Sequence, residues 1–235
     1  MRTVMPCLVL ALMGLSGCEP SYTYQGYTMH SQFPLDGSRY WLYSSDDESV
    51  TNEMRVDKVE PPRTADDGAE IYTFEHSDDE TDDLIYSVDW SSDASRGILI
   101  HGYQVFGEAT GGGGEDGGGT DTGETPPPMP ESVTFDPPVV FASANMAPGE
   151  VVETETGGWN FSAQLEYSEP CPNHWSQGWN ECLRMKLDDG DGDDTTGAKV
   201  AGTYWLVKRY GVAWFQNTAD SEKWVLREAY WAVEE

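Results

Sequence analysis

Apolar and polar residues alternate with a period of two over much of this chain. Leu84, Tyr86, Val88 and Trp90 form one such run, with Ser87 and Asp89 between them. Trp159, Phe161, Ala163, Leu165 and Tyr167 form another, and Leu183, Met185 and Leu187 a shorter one. Successive side chains of a strand point to opposite faces, so this pattern predicts strands with one buried face. Further strand candidates, rich in β-branched and aromatic residues, are 39–43, 50–59, 70–76, 97–105, 132–142, 150–156, 200–208, 212–216 and 223–233. Turn-rich clusters such as Ala65-Asp66-Asp67-Gly68 and Ser77-Asp78-Asp79 separate them. No long segment repeats its apolar residues at 3.6 with helix caps. Residues 222–235 have a helix-compatible composition, but their Trp and Tyr content favours a strand. About a dozen short strands predict an all-β fold, an antiparallel sandwich or a partly closed barrel.

The chain opens differently. Met1-Arg2-Thr3 is a short positive leader, and residues 4–13 are mostly apolar. That run is too short to span a bilayer, which takes about 20 residues, but suits the core of a signal peptide. Leu15-Ser16-Gly17-Cys18 follows and resembles the lipobox of bacterial lipoproteins. The resemblance implies removal of residues 1–17 and acylation of Cys18, with palmitate among its chains. At about 0.8 kcal/mol per buried methylene, such an anchor is effectively permanent. Glu19, rather than Asp, follows the cysteine, which by the enterobacterial sorting rule implies the outer membrane. The expected location is therefore the bacterial cell envelope, with the membrane as a partner through the lipid.

Residues 18–32 lack clear periodicity and are expected to be a tether. Residues 108–130 contain Gly111–Gly114, Gly117–Gly119 and Pro126-Pro127-Pro128, the composition of a flexible linker ending in a stiffer piece. No GKS or GKT follows the glycines, and Glu115 and Asp116 would repel phosphate. The expected organisation is a signal peptide (1–17), a lipidated tether (18–32), a first β half (33–107), a linker (108–130) and a second β half (131–235). The halves open on comparable segments: Phe33-Pro34-Leu35-Asp36-Gly37 before Ser38–Tyr43, and Phe135-Asp136-Pro137-Pro138, then Pro148-Gly149 before Glu150–Val152. These openings, and the strand–turn–strand of residues 202–215 with Gly211 at the turn, are similar to those of TapB-like bacterial envelope proteins. That resemblance implies a β-rich fold without known catalysis. The fold class expected is thus an all-β sandwich or barrel built from two related halves.

Charge narrows the function. Thirteen Lys+Arg stand against 42 Asp+Glu, a formal charge of −29. Such a chain cannot replace counterions along a phosphate backbone, which excludes general nucleic-acid binding. A polybasic grip on anionic lipid is excluded on the same ground.

The candidate chemistry lies in the second half. Of four cysteines, Cys7 leaves with the signal and Cys18 takes the lipid. Cys171 and Cys182 remain as a pair in an oxidising compartment, and a disulfide closing that loop would add roughly 3 kcal/mol. A metal site from Cys171, His174 and Cys182 is the alternative, and it lacks an obvious fourth ligand. Trp175 and Trp179 lie inside the loop with Asn173 and Gln177, an amide- and aromatic-rich surface suited to recognition. Asp189, Asp191 and Asp193 could supply oxygens to calcium, the one cofactor considered. Read as an EF-hand loop from Asp189, however, position 6 is Asp194 and position 12 is Val200, where Gly and Glu are required. The plainer expectation is a solvated acidic turn. There is no G-x-S-x-G and no H-E-x-x-H, and the four histidines are scattered. The function expected is non-catalytic: an envelope structural or interaction module with a protein or glycan partner. The alternatives are a calcium-dependent or carbohydrate-binding surface module, then a carboxylate-based hydrolase.

Overall fold

A computed structural model describes residues 26–33, 35, 38–45, 52–106, 132–171, 181–190, 200–218 and 223–231. Strand β1 (Tyr27–Thr28) and a 3-10 turn (Met29–Ser31) come first. Then follow β2 (Ser38–Ser45), β3 (Glu53–Lys58), β4 (Arg63–Thr64), β5 (Glu70–Asp78), β6 (Leu84–Asp93) and β7 (Gly97–Val105). The remainder is β8 (Ser132–Ala142), β9 (Asn145–Met146), β10 (Val151–Thr156), β11 (Trp159–Glu169), β12 (Cys182–Asp188), β13 (Gly202–Val207), β14 (Gly211–Asn217) and β15 (Lys223–Trp231). Every strand of six residues or more coincides with a segment that the sequence pattern predicts, and 223–231 is strand rather than helix.

All neighbours pair antiparallel, in the order β10-β11-β12-β13-β14-β15-β2-β3-β5-β6-β7-β8, with β4 added beside β5. The last strand pairs with the first long one, Leu226 opposite Tyr43 and Ala229 opposite Trp41. That pairing turns a linear meander into a barrel, and only the seam between β8 and β10 lacks a backbone ladder. A side chain bridges it, the Val140 amide donating to Thr154 Oγ1 at 3.2 Å. The open seam has a local cause. Pro137 and Pro138 in β8 carry no N–H, and the β7–β8 register jumps from Ile100↔Val139 to Gly102↔Thr134 around them. Prolines are tolerated on such an edge and not inside a ladder. Beside this seam Gly97 has φ +92°, and a Cβ there would meet the Ala142 carbonyl oxygen at 2.1 Å.

The barrel interior is filled. One continuous cluster of buried side chains includes Trp41, Val56, Trp90 and Ile100 from the first half and Phe141, Phe161, Leu165, Met185 and Leu206 from the second. Aromatic rings run across it: Phe33 to Trp90 at 5.0 Å, Trp90 to Phe141 at 5.3 Å, Phe141 to Tyr204 at 5.1 Å. Opposite walls therefore touch, and the barrel is flattened like a sandwich. Intervening polar residues of the strands, such as Arg55, Asp57, Glu153 and Lys186, face outward. No helix among the described residues is long and apolar enough to cross a membrane.

The fold starts earlier than the tether expectation placed it. Residues 26–35 form a strap over one barrel end. Tyr27 and Thr28 pair with β9, and the Met29 amide donates to the Ala144 carbonyl at 3.0 Å. Met29 is fully buried, with Phe33 and Leu35 nearly so. Lys58 Nζ, itself buried, donates to the Leu35 carbonyl. The opposite end carries the acidic turn Asp78–Asp83 and the Asp188-Asp189 corner.

Candidate functional site

The cysteine pair is a disulfide, with Cα atoms 5.0 Å apart. It sits on the outer face of β12 to β15, in a second small cluster with Trp205, Val207, Ala213 and Val225. Trp205 stacks on Trp214 at 4.6 Å and donates its indole N–H to Glu169 at 2.7 Å. The Arg184 guanidinium lies 5.3 Å from the Trp205 ring, and the Lys223 ammonium 5.6 Å from that of Trp214. The staple is thus bonded to an aromatic platform that the loop's own residues did not announce. Asn173, Trp175, Gln177 and Trp179 lie outside the described residues, as do Cys18, Asp191 and Asp193. Asp189 is described, and it is buried, with only 7% of its surface exposed. Among the described residues no group of three His, Cys, Asp or Glu side chains is placed to hold a metal ion.

Two histidines meet other groups in ways that spacing did not reveal. On the outer face of β6 and β7, Ser91 Oγ lies 2.8 Å from His101 Nε2. Burial first, then the neighbouring Arg63, pushes the His101 pKa down. The two side chains share one hydrogen bond. A Ser–His pair is the start of a nucleophile–base arrangement. Here, however, Ser91 is 2% exposed and His101 9%. The nearest carboxylate, Asp89, is engaged by Arg63 at 2.7 Å and Thr73 at 2.6 Å. The pair is therefore a satisfied buried hydrogen bond rather than an attacking group.

His76 lies inside the barrel. It stacks on Tyr86 at 4.0 Å, and its Nδ1 is 3.2 Å from the Phe74 carbonyl oxygen. Burial pushes its pKa down to about 3. A cavity of about 50 Å³ adjoins it, walled by Trp41, Tyr43, Trp90 and Phe215. Drug-sized ligands need roughly 300–1,000 Å³, so this gap does not hold one. Tyr43 donates to the Val212 carbonyl at 2.6 Å and Tyr204 to that of Val200 at 2.6 Å. Their hydroxyls are committed to the fold, and burial raises both pKa values above the usual tyrosine range.

A larger cleft of about 980 Å³ opens at the strap end. Three corners that are far apart in sequence build it: the strap with the Lys208–Arg209 turn, the segment before and into β5, and the β6–β7 turn. The β6–β7 turn is rigid. Asp93 accepts hydrogen bonds from the Ser95 and Arg96 amides, both at 2.8 Å. Burial raises the Asp93 pKa, but hydrogen bonds from Ser95 and Arg96 outweigh it and hold the carboxyl well below the usual range. Arg96 bridges to Asp93 at 2.5 Å and to Asp67 across the cleft mouth. On the opposite side the Arg209 amide donates to the Ser31 carbonyl at 3.1 Å, and Trp41 Nε1 donates to the Tyr210 carbonyl at 3.1 Å. The sequence carried no signal for this cleft, because its walls meet only through the closure of the barrel.

No protein-family model, no curated protein and no solved structure matches this chain. The site therefore rests on its own residues.

Proposed function

We propose that the chain is a lipid-anchored envelope protein, a non-catalytic interaction module held at the membrane through Cys18. One observation carries the reading: the segment just after the anchor, residues 26–35, is bonded into the barrel end rather than hanging from it. Gly26 lies eight positions after Cys18, a reach of about 28 Å at most when fully extended. The barrel would thus stand close to the lipid on a short leash, its strap end toward the bilayer and its acidic turns away from it. Such an arrangement suits a protein that presents a fixed surface to partners in the envelope.

The filled interior supports the same reading, since it leaves the outer face and the strap-end cleft for contacts. So does the burial of Ser91 and His101, the one pair among the described residues with the form of a catalytic dyad. The test is metabolic labelling of the full chain with radioactive palmitate in a bacterial host, beside the Cys18→Ser variant. The expected result is label in the native chain, found in the membrane fraction, and neither in the variant. Equal labelling of both, or a native chain that stays soluble, would refute the anchor.

A further inference from the structure

In a chain with 42 acids, six of the ten Lys and Arg side chains that are described make an ion pair: Arg55, Lys58, Arg63, Arg96, Arg184 and Lys186. Of the other cations whose side chains are described, Lys223 lies over Trp214 and Arg227 donates to Ser44. Lys208 and Arg209 alone, among the described residues, make no ion pair, side-chain hydrogen bond or ring contact. They are adjacent, and both line the 980 Å³ cleft.

Their placement is held by the backbone. Arg209 has φ +75°, the left-handed region that a non-glycine residue rarely takes. The turn is fixed from both flanks, by the Ser31 carbonyl and by Trp41. Strain of this kind persists only where the surroundings enforce it, and it gathers at ligand sites.

Two more groups in the cleft lack partners. His30 Nδ1 and Ser92 Oγ are both buried atoms without a hydrogen bond. Buried polar atoms are ordinarily satisfied, and an orphan marks a place for a bound group. The cleft's lining holds three acids, Asp67, Glu70 and Asp93, and three cations, Arg96, Lys208 and Arg209. Asp67 and Asp93 are both bound to Arg96 and Glu70 accepts from Tyr72 at 3.4 Å, so none of the acids is paired with Lys208 or Arg209.

We infer that this cleft binds a small hydroxylated anion, a sugar acid or sugar phosphate. Lys208 and Arg209 take the anionic group. His30 and Ser92 bond hydroxyls, and Tyr72 lines the cleft as its aromatic wall. The volume exceeds what a bare phosphate fills and lies within the range of small-molecule sites. The inference holds whether or not Cys18 is acylated.

Isothermal titration of the full chain, purified in detergent, tests it with four probes: glucose 6-phosphate, glucuronate, glucose and inorganic phosphate. Binding of at least one charged sugar tenfold or more tighter than both glucose and phosphate is expected. Joint Lys208→Ala and Arg209→Gly substitution should weaken that binding at least tenfold without lowering the melting midpoint, because glycine suits φ +75°. Ser92→Ala should weaken it by a smaller factor. Absence of binding at millimolar probe would overturn the inference. So would phosphate binding as tightly as the sugars, or a double variant that binds like the native chain.

Discussion

The Phe141 ring of β8 meets the Tyr204 ring of β13 edge to face, 5.1 Å apart, across the middle of the barrel. These strands are not neighbours in the sheet, so the contact is between opposite walls. It joins residues more than sixty positions apart and explains why the barrel encloses packed side chains instead of a lumen. Phe141→Ala should therefore cost about 3–5 kcal/mol, the range for truncating a fully buried aromatic. Denaturant unfolding followed by Trp fluorescence measures this, and a loss below about 1 kcal/mol would mean the walls do not pack on this ring.

The junction between the start of β7 and the end of β8 depends on close backbone approach. At Gly97 a Cβ would meet three main-chain atoms of residues 142–144 within 2.7 Å. Gly68 has a similar positive φ, +83°, but open space around it. Gly68→Ala should cost only the local strain, about 1–2 kcal/mol. Gly97→Ala should cost clearly more, because two backbones cannot both hold their places. Equal losses in matched thermal melts would remove the steric account of this junction.

Acid should weaken the fold before carboxylates begin to titrate. His76 and His101 both have pKa values lowered by burial, His76 to about 3, against about 6.5 in the unfolded chain. Below pH 6.5 the unfolded chain takes up protons that the native state refuses, so stability falls as pH drops from about 7 toward 4.5. Asp93 acts in the same direction only below the ordinary carboxylate range. His76→Phe should flatten the profile between pH 7 and 4.5, keeping the stack on Tyr86. An unchanged slope in that window would show that His76 takes up its proton in the native state as readily as in the unfolded chain.

The disulfide should matter to stability rather than to assembly of the core. It staples an outer-face cluster, and the barrel core does not include it. Replacing both Cys171 and Cys182 with Ala should cost roughly 3 kcal/mol and leave a β-rich circular dichroism spectrum. Loss of that spectrum would make the staple a condition for folding.

Salt is the remaining test of the acidic turns. Repulsion among carboxylates is screened by any electrolyte. Millimolar calcium, magnesium and sodium chloride at matched ionic strength should raise the melting midpoint equally. A rise specific to calcium would mean that a native-state site binds it, and Asp189 with its neighbours would be the first residues to replace.

How legible this was follows from particular residues. Tyr86, Val88 and Trp90 line the core as their alternation says, because a half-buried strand must sort its faces, whereas Leu84, at the start of the strand, lies outside the core cluster. The disulfide was legible from compartment and count. Tyr27–Thr28, Arg63–Thr64 and Asn145–Met146 were not, since a two-residue ladder leaves no period to read. Residues 26–32 looked like tether for the same reason, although Met29 is fully buried. The pairing of Leu226 with Tyr43 is set by which meander edge the closing sheet brings round, and no local pattern encodes it. The cleft inherits that difficulty. His30, Ser92 and Lys208 are ordinary surface residues until the barrel closes and leaves them facing one space.

The central claim is that both halves of the sequence build one barrel around one core. A protease site placed within residues 108–130 of a chain that starts at residue 18, with Cys18 replaced by Ser, tests it most directly. After cleavage the two fragments should remain bound through gel filtration and melt in a single transition, because Trp41, Tyr43 and Phe141 lose their partners if the halves part. Fragments that separate and each melt cooperatively on their own would contradict the single barrel.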